Sequence, residues 1–397
     1  MSTNIDVLIV MPSPELPVSE LRVSGNWRQI VESLRGASES HITYTTVERI
    51  PLKSLDTSLP DYDTINIKKG RTIFHSLIQL LSLTKTIKRR NKIDLVLSPD
   101  VYPEWVVISF LLSKAIKKPC VVIMQLLPSW LLDTQKASFL AFYKHFRQNR
   151  ELLRALIDAL AAWSFVLLLK KCNLIFHSEA YARTFLDIVG PNVKSYVNHH
   201  LCSIHVPEMR AHVKDIDAIF VGTHDERKGI FDLVRVWSEV CRRNPQARLV
   251  TCGYVRPEIE HELSLRIKEQ ALAENLQMLG QVDDTKKFEV LNSAKLFILL
   301  SKNESFSLVI GEAMARGLPV VAYDLPALRE IWTCSAFFVR PIGDIEGIVN
   351  EVMTVLSLPN EERKALATVA RERASNYSWQ SMLQEEKEIY GIIAQKH

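Results

Sequence analysis

Two acidic residues, Glu304 and Glu312, stand eight positions apart in the segment LLSKNESFSLVIGEAMARGLPVVA (299–322), and they carry the most informative chemistry in the chain. A buried strand should end near Leu300, a polar turn SKNES follows it, and a helix should begin near Ser307. The first turn of such a helix leaves several backbone N–H groups without intrahelical partners and carries the positive end of the helix dipole, so it is a ready anion site. Ser305 and Ser307 are small enough to cap it without screening the amides. Glu304 stands at the mouth, and Glu312, about two turns along, places a carboxylate where it could accept two hydrogen bonds from a ribose diol. A second landmark lies upstream, where the apolar run 218–221 ends in Gly222 and Thr223 before HDERKG and a further helix. A glycine at a strand end permits close backbone approach, and Lys228 at the helix entrance can reach a diphosphate. Each feature alone is what an ordinary α/β crossover would show; the two together point to a nucleotide site.

Positioning these groups requires a regular scaffold, and short apolar runs do alternate with helical patterns along almost the whole chain. That alternation predicts parallel sheets with helices on both faces. In the first half, strands are expected at 6–11, 94–97, 120–124 and 174–177, with helices at 27–34, 73–88, 105–115 and 179–188. The pattern lapses in the polar stretch at 199–217, which is the expected domain boundary. A second series then places strands at 218–221, 248–252, 277–279, 296–300, 320–322 and 337–339, and helices at 230–243, 257–272, 286–292, 308–316 and 344–358. The fold class is therefore α/β, with two Rossmann-like doubly wound domains facing across a cleft. Ligands of such sheets bind beyond the carboxyl ends of the strands.

The pair FVGTHDERKGI and NESFSLVIGEAMARGLPVVAYDLPALREI, in this order and about 75 residues apart, resembles the donor half of the retaining nucleotide-sugar glycosyltransferases of GT-B type, group 1 (family 4). The strong part of the resemblance covers 218–379, including a terminal NYSWQ that in such enzymes precedes a helix crossing back to the first domain. It implies an acceptor-side domain at 1–205, a donor domain at 206–376 and a returning helix at 377–397. It further implies that Lys228 neutralises the donor diphosphate while the backbone at Ser305, Phe306, Ser307 and Leu308, with Gly222 and Thr223, cradles it. Glu312 would hold the ribose and Glu304 the hydroxyls of the transferred sugar, with Glu304 and Lys228 as the catalytic pair. The donor would be a UDP- or GDP-sugar, with no cofactor and no metal, because Lys228 and the helix dipole supply the positive charge. This chain has Thr223 where the family usually has arginine, and serine at 305 and 307 where glycine is common. On the acceptor side the usual glycine-rich loop is reduced to Ser24-Gly25, and Gln125 stands where histidine is often found. A nucleotide-sugar epimerase or hydrolase of the same fold, or a non-catalytic partner subunit, are the alternatives.

Composition narrows the field further. The chain has 397 residues, 47% hydrophobic and 24% charged, which excludes collagen-like and mostly disordered polymers and leaves room for two domains. Six cysteines lie far apart with no metal-ligand spacing, so reduced thiols in a cytoplasmic setting are expected. Asp61–Asp63, Asp215–Asp217 and the histidines 199, 200 and 205 are expected to be solvated turns and linker side chains, and Ser178-Glu179 a helix start. Residues 68–150 hold 15 basic and 4 acidic side chains, interleaved with apolar helical stretches such as WVVISFLLSKAIKKP. Nucleic acid is not the expected partner, because the basic residues are not interleaved with an aromatic platform and form no recognisable module. An anionic membrane surface at the cytoplasmic face is the expected partner of this half, with a glycan or lipid-linked acceptor. The apolar segment 152–169 has nearly spanning length, but Arg154 and Asp158 inside it favour a buried or surface-lying helix.

Overall fold

The computed structural model describes residues 5–11, 42–48, 63–66, 84–87, 93–200, 204 and 214–396. The expected helix at 27–34, most of that at 73–88, the Ser24-Gly25 pair, Asp61, His205 and the basic residues 88–92 lie outside the described residues. Tertiary contacts divide the chain into two units, Met1–Ser203 with Trp379–His397, and Ile204–Ser378.

The first unit contains a parallel sheet in the order β3-β2-β1-β4-β5-β6-β7, with β1 Ile5–Met11, β2 Ile42–Glu48, β3 Asp63–Asn66, β4 Leu95–Ser98, β5 Cys120–Ile123, β6 Asn173–Phe176 and β7 Lys194–Val197. Its helices are α1 Pro103–Ile116, α2 Ser129–Thr134, α3 Phe139–Arg147, α4 Leu152–Leu169 and α5 Glu179–Val189. β4, β5 and β6 are buried along their whole length, as strands covered on both faces must be. Ser138 and Ser178 cap α3 and α5 by accepting from Ala141 N and Tyr181 N, so Ser178 is indeed a helix start.

The second unit contains a parallel sheet in the order β10-β9-β8-β11-β12-β13, with β8 Ile216–Val221, β9 Leu249–Cys252, β10 Leu276–Met278, β11 Ala294–Leu299, β12 Val320–Tyr323 and β13 Phe337–Arg340. Its helices are α6 Ile230–Arg243, α7 Pro257–Glu269, α8 Asp284–Ser293, α9 Leu308–Ala315, α10 Pro326–Trp332, α11 Ile345–Ser357 and α12 Asn360–Ser375. The chain runs outward from β8 to β9 and β10 on one side and from β11 to β13 on the other. The strand order therefore reverses between β8 and β11, the place where open α/β sheets bind ligands.

The last helix, α13 Trp379–Gln395, belongs to the first unit and packs on β1 and β4. There Glu385 accepts hydrogen bonds from the backbone N–H groups of His199, at 3.2 Å, and His200, at 3.0 Å. It also lies 2.8 Å from His200 Nδ1, so the His200 ring is tied down rather than a loose linker side chain, while His199 is exposed as expected. Asp217 is not a solvated turn either: it lies in β8, accepts from Arg248 N and pairs with Lys295 at 2.6 Å.

Candidate functional site

The site grows from two loops that leave adjacent strands. β8 ends at Val221, and the loop Gly222–Gly229 leads into α6; β11 ends at Leu299, and residues 300–307 lead into α9. Three backbone ties fix the loops together. Lys302 N–H donates to the Arg227 carbonyl at 2.8 Å, Ser301 Oγ lies 3.4 Å from the same carbonyl, and Arg227 Nη1 lies 3.4 Å from the Asn303 carbonyl. Gly229 makes the closest approach: a Cβ added there would lie 2.0 Å from the Leu300 carbonyl oxygen, and its φ is +72°. Only glycine lets the two loops meet this closely.

The consequence is an ion pair between Lys228 and Glu304. Lys228 Nζ lies 2.5 Å from Glu304 Oε1, with side chains only 17% and 7% exposed. Asp225, itself buried, accepts from Lys228 N–H at 2.7 Å and so closes the turn that presents the lysine. The lysine stem passes over Gly222, whose added Cβ would lie 4.0 Å from Lys228 Cδ. Thr223 occupies the next position, half-buried. Arg227, the nearest substitute for a missing arginine at 223, is engaged by Asp225 at 3.8 Å and by the Asn303 carbonyl. The sequence offered no sign of Asp225 as the organiser of this turn.

The other side of the site is the start of α9. Its first backbone hydrogen bond runs from Ile310 N–H to the Ser307 carbonyl, so the amides of Leu308 and Val309 precede the ladder. The loop that aims them is braced from behind, where Trp332 Nε1–H donates to the Phe306 carbonyl at 2.6 Å, and Phe306 packs edge to face on both Trp332 and Tyr377, which are tilted against each other. Ser305 and Ser307 are buried there. Ser307 stands at the N-cap, but the expected capping bond is absent. Its φ of +66° is left-handed, not extended as a capping residue requires, and its Oγ has no hydrogen-bond partner.

Glu312 follows in the second turn of α9, 1% exposed. Its carboxylate meets Lys287 of α8, whose Nζ lies 3.0 Å from each carboxylate oxygen. The structure thus joins Lys228 to Glu304 and pairs Glu312 with a lysine to which sequence reasoning gave no role. A signal was present: Lys287 shares a helical stripe with Val290 and Leu291, which are both buried, so a lysine there demands an acidic partner.

Of the acceptor-side residues, Gly25 lies outside the described residues. Gln125 follows β5 and its Oε1 lies 3.0 Å from His177 Nε2. Burial lowers the pKa of that histidine to about 3, so it is neutral. His224, in the lysine-bearing loop, is also buried, lies 2.8 Å from Thr251 Oγ1, and has its pKa lowered by desolvation to about 4. Among the described residues, no group of three or more His, Cys, Asp or Glu is placed to hold a metal ion.

Comparison with known proteins places these features. Residues 206–373 match the family described as Glycosyl transferases group 1. A phosphatidyl-myo-inositol mannosyltransferase of Mycolicibacterium smegmatis is 30% identical over 179 residues, 44% of this chain and 45% of that protein. A GDP-mannose:cellobiosyl-diphosphopolyprenol alpha-mannosyltransferase of Xanthomonas campestris is 24% identical over 212 residues, 53% of this chain and 56% of that protein. The matches thus span about half the length of these relatives. A glycosyltransferase structure from Rickettsia africae covers 99% of this chain and is itself covered entirely, with TM-score 0.72 and 18% identity. An Anabaena protein in complex with UDP and glucose covers 98%, with TM-score 0.69 and 16% identity. Both units therefore share the two-domain Rossmann-like GT-B fold.

Proposed function

Because residues 206–373 belong to the group 1 glycosyltransferases, we propose that this protein moves a sugar from a nucleoside diphosphate sugar to an acceptor hydroxyl with retention of configuration. The observation that carries this reading is the Lys228–Glu304 contact at 2.5 Å beside the start of α9. Breaking a sugar–phosphate bond leaves charge on the diphosphate and a cation-like sugar. The ammonium of Lys228 and the amides of Phe306, Ser307 and Leu308 answer the first, and the Glu304 carboxylate answers the second while it orients Lys228. Glu312 accepts the ribose hydroxyls. This charge pattern needs no metal. The mannosyltransferases to which the chain is similar support a mannosyl donor, GDP-mannose before a UDP-sugar, and a lipid-bearing acceptor. The test is a panel of nucleotide sugars offered to the full chain with and without membrane extract. Sugar transfer only when extract is present supports the reading. Donor turnover without any acceptor points to an epimerase or hydrolase.

We further propose an acceptor at the cytoplasmic face of a membrane, a reading that the surface of the first unit supports. α4 is apolar over most of its surface, interrupted by the Arg154–Asp158 ion pair, yet buried on one side only, through Ala155, Ala159, Ala162, Phe165, Val166 and Leu169. Its outer side exposes Leu153 at 70%, Leu152, Ile157 and Leu160, joined by Leu140 of α3 at 59%. Among the described residues it is the single helix long and apolar enough to cross a membrane, but a third of it is covered by protein. Residues 136–171 hold seven basic and two acidic side chains, so a second copy laid on this face would bring like charges together, whereas anionic lipid headgroups complement them. Full-length protein should sediment with phosphatidylglycerol-containing vesicles and not with phosphatidylcholine alone, and Leu153→Ser with Leu160→Ser should release it. Equal sedimentation of wild type and double variant would refute this placement.

A further inference from the structure

Beyond the phosphate contacts, the second unit buries three charges close together: Lys287, Glu312 and Arg316 are 7%, 1% and 3% exposed. Lys287 Nζ sits 3.0 Å from both Glu312 oxygens, 2.9 Å from Asp284 Oδ1 and 4.5 Å from the centre of the Phe288 ring. Arg316 lies one turn beyond Glu312 at the end of α9. Its guanidinium carbon is 4.8 Å from the same ring, and its Nε and Nη1 have no hydrogen-bond partner. Glu312 therefore has one cation attached and a second, with open donors, beside it.

We propose that Lys287 is a positioning residue for the donor's ribose, and that it gives the site its discrimination between ribo- and 2′-deoxyribonucleotides. This rests on the reading of Glu312 as the ribose acceptor. A carboxylate offers about four lone-pair sites. An ammonium that donates to Oε1 and lies 3.0 Å from Oε2 fixes the plane of the group, and the lone pairs that point away from Lys287 are left for the two hydroxyls of a ribose. Without Lys287, the buried carboxylate turns toward the open donors of Arg316. The charge stays compensated and the fold survives, but the two acceptor sites no longer face the diol.

The test titrates UDP, GDP and their 2′-deoxy counterparts into full-length wild type, Lys287→Met and Lys287→Arg, alongside thermal melts and donor kinetics. Wild type should prefer the ribonucleotide about tenfold, the contribution of one well-made hydrogen bond to a charged group. Lys287→Met should lose that preference, raise the donor KM about tenfold and leave kcat within about twofold. Lys287→Arg, whose guanidinium can span both oxygens, should retain the preference. Lys287→Gln replaces Lys287→Met if the latter does not fold, with the same loss expected. A preference that survives in Lys287→Met or Lys287→Gln, or one that Lys287→Arg fails to retain, overturns the role of Lys287. If wild type binds none of the nucleotides, the donor-site reading falls first and this inference with it.

Discussion

Replacing Gly229 by alanine examines the junction that brings Lys228 to Glu304. The added Cβ would lie 2.0 Å from the Leu300 carbonyl oxygen, 2.7 Å from its carbon and 2.9 Å from the Leu300 Cβ, all at a φ of +72°. The left-handed backbone alone costs an L-residue about 1–2 kcal/mol. The contact with Leu300 is with backbone of a buried strand end, so relief requires the two loops to separate, which loosens the bond of Lys302 N–H to the Arg227 carbonyl. Losing that bond adds about 1 kcal/mol. A total of about 2–3 kcal/mol should lower Tm by roughly 2–4 °C in a chain of this size. Gly280 provides the control, since its φ is +66° but nothing lies within 4 Å of an added Cβ. Gly280→Ala should show only the backbone part. Differential scanning calorimetry measures both, and nucleotide titration should show weakened binding for Gly229→Ala alone. Equal Tm shifts for the two variants, with nucleotide affinity untouched, would refute the claim that Gly229 sets the distance between the loops.

Two further outcomes follow from the same geometry. His224 takes up a proton near pH 6.5 when unfolded but only near 4 in its buried folded setting, so its contribution to stability is complete above pH 6.5 and is lost as pH falls toward 4, at about 1.4 kcal/mol per pH unit. His224→Gln should flatten the pH dependence of Tm in that window, and an unchanged slope would count against the assignment. Trp332→Phe leaves the buried Phe306 carbonyl without its 2.6 Å donor. It should cost about 1–3 kcal/mol in denaturant unfolding and weaken nucleoside diphosphate binding several-fold.

The second unit was legible because its central strands are continuous apolar runs such as AIFV and LFIL, bounded by polar turns, the pattern of strands covered on both faces. β2, β3 and β7 escaped notice for the opposite reason. ITYTTVE, DTIN and KSYV are short or polar, and β3 and β7 are the sheet's edges, where one side needs no apolar cover. α12 was missed because NEERKALATVARERAS buries little beyond Ala370 and Ala374. At the site, motif residues revealed Lys228, Glu304 and Glu312, but not the pairing of Glu312 with Lys287. That pairing depends on α8 lying beside α9, and side-chain contacts between elements distant in sequence leave only an indirect trace, here a lysine on an apolar stripe. The left-handed turn at Ser307 was equally hidden, since serine at a helix start usually signals a cap.

Calorimetric titration of full-length wild type and Lys228→Met with GDP, UDP and the matching monophosphates tests the central claim most directly. The second unit is held to grip its ligand by the diphosphate, through Lys228 and the start of α9. Wild type should therefore bind at least one diphosphate more than tenfold tighter than its monophosphate, and Lys228→Met should lose most of that difference while keeping its Tm within a few degrees. A β-phosphate that adds no affinity, or a Lys228→Met variant that binds diphosphates as wild type does, would contradict it.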